Sequence, residues 1–355
     1  MELNEGLSGS VIYGPDSDDE RHRTGTSSLA DSMPMMDAYI SMMRASALIA
    51  AGRTGLFEAL ANGPLTIERL AEAVGADEAG LARLADFLVL TGHVDRQDDR
   101  FANAPRTMRW FTSWGSVDYR SGLVWTGDAW PIMDDLGEAV RNGLPSQLLW
   151  DRMEERPELG RNFARYMATF ARHLAPDLLE LAPLSDGPLR LLDLGGSHGL
   201  HAMAFCDRHP GVRAVIVDLE SALHETAKRI GHRSLADRIE LRQGDIRSCD
   251  WGQDYDIVLY LSVAHNMSRE DNRAVFAHLA KTMRPGGSLI IHDYPVETTP
   301  ALFLAAFRLT LLVETGTDTL GYGELAGMLS DAGFSQLSSH TLVPADKGTL
   351  ILARK

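Results

Sequence analysis

Three acidic residues and a histidine follow successive apolar runs in the second half of the chain. They are Asp218 after 213–217, Asp245 after 239–242, His265 after 256–261 and Asp293 after 288–292. A carboxylate accepts hydrogen bonds from hydroxyl and amino groups, and a neutral imidazole can take a proton from an acidic hydroxyl. If the runs are parallel strands, their carboxyl ends lie along one edge of a sheet, where α/β folds bind ligands. The pattern therefore predicts one site that combines hydrogen-bond acceptors with a general base.

The segment LRLLDLGGSHG, residues 189–199, precedes these side chains and organises the predicted site. It predicts a buried strand, a glycine-rich turn and the start of a helix. Its glycines lack the G-x-G-x-x-G spacing of dinucleotide folds, and no Lys-Ser/Thr pair follows to bind phosphate. A turn that begins with Asp193 instead suits a cofactor with a cationic end and no phosphate, such as S-adenosylmethionine. A tight strand–helix turn without a ligand is the alternative.

The strand ends suggest separate roles. Asp218 is placed to accept hydrogen bonds from both hydroxyls of a ribose. Glu220 is a competing candidate for this role, and Asp218 could instead cap the helix that follows. Asp245 can accept a hydrogen bond from an adenine amino group while Ile246 packs on the ring, although an ordinary turn would look the same. His265 is the candidate general base, and Asp293 can orient its imidazole.

Composition limits the class of protein. The 355 residues favour two domains. The chain has 34 Lys and Arg against 49 Asp and Glu, and the net charge of −15 argues against a nucleic-acid partner. Its two cysteines, Cys206 and Cys249, form no disulfide or zinc pattern, which fits a reducing cytoplasm. The sequence shows no signal-peptide pattern and no apolar stretch long enough to span a membrane, so we also expect no membrane partner.

The first half of the chain is predicted to be mostly helical. Residues 1–32 are polar and expected to be mobile. Helices at 67–74 and 78–90, followed by a hairpin at 93–95 and 100–102, outline a winged helix-turn-helix. The second of these helices carries few basic side chains, so we favour a dimerisation and substrate-lid module over DNA recognition.

Residues 111–182 are also predicted to be helical, with Pro176 and the stretch 183–188 as a hinge. From residue 189 onward, strands alternate with helices, which implies a parallel sheet covered on both faces. The predicted strands are 189–194, 213–217, 239–242, 256–261, 288–292, 334–342 and 349–353. The predicted helices lie near 199–208, 221–230, 269–283, 301–313 and 321–331. No helix separates the last two strands, so they should form an antiparallel hairpin at one edge.

Four stretches together carry a resemblance to a known family. They are LLDLGGSHG at 191–199, the Val-Asp-Leu step at 217–219, Gly-Asp at 244–245 and DIVLYLSVAHNMSRED at 256–271. From about residue 34 to the end, the chain resembles the S-adenosylmethionine-dependent O-methyltransferases of the plant caffeate/isoflavone type. Bacterial relatives of these enzymes methylate polyketides, phenazines and other secondary metabolites. The resemblance implies an α/β fold: a Rossmann-like class I methyltransferase sheet with an N-terminal, mostly helical, winged-helix dimerisation domain.

The resemblance also implies roles for individual residues. The implied cofactor-binding residues are Gly195, Gly196, Asp218, Leu219, Asp245, Ile246 and Met167, and the implied catalytic residues are His265 as base with Asp293 and Asp318 as flanking acids. No metal ligands are implied. The chain departs from the family at Ser197, where a third glycine is usual, and at Asn266 and Met267, which follow the catalytic histidine in place of Asp and Trp.

We therefore expect a mobile tail at 1–32, a winged-helix dimerisation domain at 33–113, a helical linker and lid at 114–185 and a cofactor-binding catalytic domain at 186–355. The expected enzyme is a homodimer that transfers methyl from S-adenosyl-L-methionine to an oxygen of a small aromatic or polyketide-like metabolite. Methylation of carbon or nitrogen, for example a carbon α to a carbonyl, is the first alternative. A methyltransferase-like protein with a non-methylating reaction and a DNA-binding regulator that senses S-adenosylmethionine are further alternatives.

Overall fold

The computed structural model describes residues 34–114, 119–182, 184 and 187–355. The predicted mobile tail at 1–32 lies outside the described residues. The chain forms two compact units, one ending at Gly127 and the other beginning at Asp128. The domain boundaries expected near residues 113 and 185 stay predictions. No helix in the described part of the chain is long and apolar enough to cross a membrane.

The N-terminal unit is mostly helical and carries a small antiparallel sheet. Its elements are α1 (Pro34–Thr54), α2 (Leu56–Ala59), β1 (Leu65–Thr66), α3 (Ile67–Val74), α4 (Glu78–Leu90), β2 (Val94–Gln97), β3 (Arg100–Asn103) and α5 (Pro105–Phe111), and α6 (Arg120–Met133) begins in it. Gly75 ends α3 in the left-handed conformation, and Asp77 caps α4 by accepting a hydrogen bond from the amide of Gly80 at 2.8 Å. Strand β3 pairs with both β1 and β2. The predicted helices and hairpin of this unit are confirmed.

The second unit contains the large sheet and most of the helices. Its helices are α7 (Leu136–Asn142), α8 (Leu149–Glu155), α9 (Pro157–Leu181), α10 (Leu200–Arg208), α11 (Glu220–His232), α12 (Arg269–Thr282), α13 (Ala301–Glu314) and α14 (Tyr322–Asp331). Its strands are β4 (Leu189–Leu194), β5 (Val212–Asp218), β6 (Ile239–Gln243), β7 (Tyr255–Leu261), β8 (Met283–Asp293), β9 (Ser335–Thr341) and β10 (Thr349–Arg354). The predicted alternation of strands and helices is confirmed, and so is the final hairpin at the edge of the sheet.

The sheet has the strand order β6-β5-β4-β7-β8-β10-β9. The first five strands are parallel, whereas β10 runs antiparallel to both β8 and β9. Side chains of the central strands are buried on both faces, as near-continuous apolar runs require. One apolar core lies between the sheet and helices α9, α10 and α11, and the other lies between the sheet and helices α12 and α14. The carboxyl ends of β4, β5, β6, β7 and β8 therefore share one edge.

Two sequence predictions for this unit were wrong in detail. Pro176, expected at a hinge, lies inside α9, which runs without interruption from Pro157 to Leu181. The helix buries one full face, including Ala168, Ala171 and Leu178, and this packing outweighs the single backbone hydrogen bond that proline removes. Strand β8 begins at Met283 rather than near residue 288, with a register irregularity against β7.

Candidate active site

The glycine-rich turn after β4 holds the backbone in a tightly constrained, partly buried path. Gly195 has φ 76°, and its amide donates a hydrogen bond to the carbonyl of Val217 at 2.9 Å. A Cβ atom at Gly196 would lie 2.6 Å from Cγ of Asp193, so only glycine fits there. Asp193 is buried beneath the turn, and its Oδ2 atom has no hydrogen-bond partner among the described residues. Burial raises the pKa of Asp193 to about 7.

Asp218 ends β5 and is joined to this turn. One carboxylate oxygen accepts a hydrogen bond from the amide of Ser197 at 2.8 Å, and the other accepts one from the amide of Leu219 at 2.7 Å. Burial raises the pKa of Asp218 to about 6, although these two amides oppose the shift. The competing acid, Glu220, instead accepts a hydrogen bond from the amide side chain of Gln243 at 3.2 Å and is exposed. The geometry therefore places Asp218, rather than Glu220, against the glycine turn.

Asp245 and Ile246 follow β6 at the same edge. The amide of Gly244 donates to the carbonyl of Asp218 at 3.0 Å, which joins the ends of β5 and β6. The carboxylate of Asp245 forms an ion pair with Arg247, with an N–O distance of 2.6 Å, and this hydrogen bond lowers the pKa of Asp245. Ile246 packs against the apolar core beside it. The ends of three adjacent strands thus present a glycine turn and two carboxylates side by side.

His265 lies in a short 3-10 turn, Ala264–Asn266, that follows β7. Its Nδ1 atom is 2.8 Å from Oδ1 of Asp293, and its backbone amide donates to Oδ2 of the same residue at 3.2 Å. Burial opposes ionisation of Asp293, but the imidazole of His265 and the amide of Tyr294 outweigh it and lower the pKa of Asp293. An ionised Asp293 favours the tautomer with the proton on Nδ1, which leaves Nε2 of His265 as a proton acceptor.

The turn that carries His265 is anchored by polar contacts on both sides. Ser262 adopts φ 58°, its amide donates to the carbonyl of His292 at 2.8 Å, and its hydroxyl lies 3.0 Å from Nδ1 of His292. A non-glycine residue in the left-handed region is strained, so the two contacts with His292 hold Ser262 in this conformation. On the other side, the side chain of the buried Asn272 on α12 donates to the carbonyl of Ala264 at 2.9 Å. These contacts fix the position of the imidazole relative to the sheet.

Aromatic side chains pack against His265, and a buried acid ends the helix that carries two of them; sequence reasoning missed both. The ring of Phe307 packs edge-on against the imidazole with a centroid distance of 4.9 Å, and Tyr294 contacts Phe307 at 5.2 Å. Phe303 stacks on Phe307 at 5.9 Å. Glu314, at the end of the same helix, is buried. The only signal in the sequence was an acid at the end of an otherwise apolar helical run.

Two further predicted residues lie apart from this cluster. Asp318 forms a double hydrogen bond with Arg308, both at 2.6 Å, and its side chain is 38% exposed. No hydrogen bond joins it to His265 in the part of the chain that is described; instead the neighbouring Thr317 donates to the His265 carbonyl at 2.6 Å. Met167 is half-buried on α9. The roles suggested for Asp318 and Met167 stay predictions.

Family models match most of the chain. A model of the O-methyltransferase domain matches residues 134–335, and a model of the O-methyltransferase dimerisation domain matches residues 36–113. The two matches correspond to the sheet-containing and helical parts of the molecule, and the first alone covers more than half of the chain.

Individual relatives agree with this assignment. The 3-hydroxy-5-methyl-1-naphthoate 3-O-methyltransferase of Streptomyces sahachiroi is 26% identical over 313 residues, which cover 85% of this chain and 89% of the relative. The L-tyrosine C(3)-methyltransferase of Streptomyces lavendulae is 28% identical over 267 residues, 69% of this chain and 70% of the relative. The crystal structure of human N-acetylserotonin methyltransferase in complex with S-adenosylmethionine has the same fold, with a TM-score of 0.80 and 22% identity over 91% of this chain and 96% of that one.

The strand ends fit the methyl donor of this family. The turn at Gly195 and Gly196 offers backbone without side chains, and Asp218 and Asp245 offer carboxylate acceptors beside it. Among the described residues, no group of three or more His, Cys, Asp or Glu side chains could hold a metal ion. The chain therefore belongs to the O-methyltransferase family and is a methyltransferase that uses S-adenosylmethionine.

Proposed function

We propose that this enzyme methylates an oxygen of a small aromatic or polyketide-like secondary metabolite, with His265 as general base. The observation that carries the proposal is the bond between Nδ1 of His265 and Asp293 at 2.8 Å, which leaves Nε2 as an acceptor in aromatic surroundings. A planar, apolar acceptor suits the stacked rings of Phe303, which is exposed, and Phe307, which is half-buried.

The residues of the chain divide the work of methyl transfer. Gly195, Gly196, Asp218 and Asp245 would hold the cofactor, which supplies an electrophilic methyl group when bound. Nε2 of His265 accepts the proton of the acceptor hydroxyl, so that the oxygen becomes a stronger nucleophile. Asp293 stays ionised and stabilises the imidazolium that forms. Orientation of the two reactants supplies much of the acceleration, since effective molarities lower a barrier by roughly 7–11 kcal/mol.

The base is tested with His265→Gln, using His340→Gln as a matched control because His340 is exposed on β9. Purified variants are given S-adenosylmethionine and a panel of naphthols, hydroxybenzoates and hydroxyquinones, and product is measured by mass spectrometry. We expect His265→Gln to lose turnover by a factor of about 10²–10⁴ while its calorimetric affinity for S-adenosylhomocysteine stays within twofold of wild type. Turnover equal to that of the control variant would reject His265 as base.

Transfer to carbon or nitrogen is the second candidate, because one relative is named as a C-methyltransferase. In that case His265 would take a proton from the acceptor to form an enolate or free an amine. The two outcomes differ in the product: a methyl carbon attached to oxygen has a different carbon-13 chemical shift from one attached to carbon or nitrogen. A product methylated on carbon would replace the O-methylation proposal and keep the site.

We also propose that the enzyme is a homodimer assembled through its N-terminal unit, and that it works in the cytoplasm. The match to a dimerisation domain and the exposed apolar side chains of α1 support the first proposal. Cys206 and Cys249 are both free, which supports a reducing compartment.

A further inference from the structure

Helix α11 contacts the glycine turn at three consecutive residues. The hydroxyl of Thr226, which is fully buried, donates a hydrogen bond to the carbonyl of Ser197. The guanidinium of Arg229, which is half-buried, donates to the carbonyl of His198 at 3.1 Å. A Cβ atom at Gly199 would lie only 2.5 Å from Cγ2 of Thr226. One face of α11 therefore packs directly on the turn and bonds to its backbone.

Both polar groups of the Ser197 backbone are held by the segment 218–226. The amide of Ser197 donates to Oδ2 of Asp218 at 2.8 Å, and its carbonyl accepts the hydroxyl of Thr226 in the second turn of α11. Ser197 adopts φ 31°, in the left-handed region that favours glycine. A serine is strained in that conformation, so these two hydrogen bonds stabilise a backbone that serine would otherwise leave.

Arg229 fixes the next peptide of the turn. Because its donor is charged, its bond to the carbonyl of His198 is stronger than a bond between neutral groups. Burial lowers the pKa of Arg229 and the nearby Arg172 adds to this shift, whereas Glu225 opposes it. An arginine nevertheless stays charged at every pH used in assays, so the contact does not depend on pH. The turn is thus held on both sides of the peptide that joins residues 197 and 198.

The peptide held in this way joins the two parts of the cofactor site. Gly195 and Gly196 directly precede Ser197, and the carboxylate of Asp218 is bonded to its amide. Rotation of the peptide at residue 197 would displace the turn and release that carboxylate together. Fewer molecules would then have the geometry that binds the cofactor, and the apparent affinity falls in proportion to that fraction.

We propose that Thr226 and Arg229 are positioning residues for cofactor binding, which hold the peptides of residues 197 and 198 so that the glycine turn and Asp218 keep the geometry that S-adenosylmethionine requires. Both act through the backbone of the turn and take no part in the transfer of the methyl group. The affinity for the cofactor therefore depends on them, and kcat at saturating S-adenosylmethionine does not. The inference rests on the proposed placement of the cofactor at this turn and does not involve the base.

The first test compares Thr226→Val with Thr282→Val by calorimetry with S-adenosylhomocysteine. Thr282 is a buried threonine whose hydroxyl bonds within its own helix, α12, so the same substitution there is a matched control. We expect Thr226→Val to weaken the affinity about tenfold, because the carbonyl of Ser197 loses its donor, and Thr226→Ser to restore most of it. Thr282→Val should bind within twofold of wild type. Wild-type affinity in Thr226→Val would overturn the inference.

The second test uses Arg229→Gln, with Arg233→Gln as control because Arg233 is an exposed arginine paired with Asp207. We expect Arg229→Gln to raise the KM for S-adenosylmethionine about threefold to tenfold and to leave kcat within twofold of wild type. Arg233→Gln should change neither. A lower kcat with an unchanged KM in Arg229→Gln would contradict a role in cofactor binding.

A double-mutant cycle with Ser197→Gly tests whether Thr226 acts through the strained peptide. Glycine adopts φ 31° without strain, so the turn needs the bond to Thr226 less. We expect Thr226→Val to weaken binding about tenfold in the wild-type background and threefold or less in Ser197→Gly. An equal loss in both backgrounds would show that Thr226 supports the fold without positioning residue 197, and would overturn the inference.

Asp218→Asn separates the inference from the assignment of the cofactor site. Weaker binding of S-adenosylhomocysteine in Asp218→Asn with wild-type binding in Thr226→Val would overturn the role of α11 and keep the site. Wild-type binding in both variants would place the cofactor elsewhere and overturn the site and the role of α11 together.

Discussion

We expect the protonation state of Asp218 to determine the affinity of the enzyme for its cofactor. The pKa of Asp218 is raised to about 6, and its charged form is the better acceptor of ribose hydroxyls. Above pH 6 the carboxylate is present, and below pH 6 protonation removes it. We therefore predict that the affinity for S-adenosylhomocysteine, measured by calorimetry, falls progressively as the pH drops below about 6, by up to tenfold per pH unit.

The matched variants for this prediction are Asp218→Asn and Asp207→Asn, since Asp207 is an exposed acid on α10 paired with Arg233. Asp218→Asn should bind weakly at pH 8 and lose the pH dependence, whereas Asp207→Asn should behave as wild type. Asp193 lies close enough that its pKa is raised by the charge of Asp218. A pH dependence that persists in Asp218→Asn would therefore assign the effect to Asp193 and contradict the prediction.

Residues at strand ends were predictable because their position follows directly from the chain. Asp218 and Asp293 each end an apolar run, and parallel strands then bring them to one edge. The contact of Phe307 on α13 with His265 was not predictable in the same way. This contact depends on the rotation of the helix about its axis and on the turn at 315–317, neither of which is encoded by apolar spacing alone. For the same reason, the pairing of Asp318 with Arg308 emerged only from the structure.

At the scale of elements, apolar periodicity predicted most of the fold. Runs of alternating strand and helix located all seven strands of the large sheet. The five parallel strands were clearest, because buried parallel strands need continuous apolar sequence. The failures came where local signals opposed tertiary packing. Pro176 predicted a break in the helix, but the buried face of α9 keeps the helix continuous. Pro285 and the two glycines after it predicted a turn, whereas these residues belong to the first part of strand β8. The short strand β1 has only two residues and left no pattern.

The buried Asn272 links α12 to the turn that carries His265, which makes a prediction for this element. Its amide nitrogen donates to the carbonyls of Ala264 and Ser268 at 2.9 and 3.1 Å, and its oxygen accepts from the hydroxyl of Tyr260 at 3.0 Å. Asn272→Ala removes these three hydrogen bonds and leaves the buried hydroxyl of Tyr260 with only the sulfur of Met267 as a partner. We expect a loss of about 2 kcal/mol or more of stability and a lower kcat, measured by thermal melting and by turnover.

The control for this substitution is Asn142→Ala, at the exposed end of α7, which should leave the melting temperature within a degree or two of wild type. S-adenosylhomocysteine should still bind to Asn272→Ala, because the glycine turn belongs to the ends of β4 and β5. Wild-type melting and turnover in Asn272→Ala would show that the turn holds His265 without this network.

At the scale of the whole molecule, the large sheet separates two tasks. The ends of β4, β5 and β6 carry the groups that fit the cofactor, and the ends of β7 and β8 carry the proposed base and the acid bonded to it. Both cores contain side chains of β4, β5, β7 and β8, because they lie on opposite faces of the sheet. Because the two sets of side chains lie at different strand ends, we expect a variant in one set to change either cofactor affinity or turnover, and not both.

The N-terminal unit leaves an apolar surface on its first helix that a monomer would expose to water. Met35 and Tyr39 are 71% and 53% exposed, and Met36 and Met42 on the same helix are also exposed. Such a patch marks an association surface. We predict that the protein in solution has twice the 38.9 kDa mass of the chain, measured by light scattering after size-exclusion chromatography.

The double substitution Met36→Glu and Tyr39→Glu should shift the protein toward the monomer, because charges in an apolar interface are desolvated without partners. Leu302→Glu, at an exposed apolar position on α13 of the other unit, is the control and should remain dimeric. A wild-type mass of one chain, or dissociation by Leu302→Glu alone, would contradict assembly through α1.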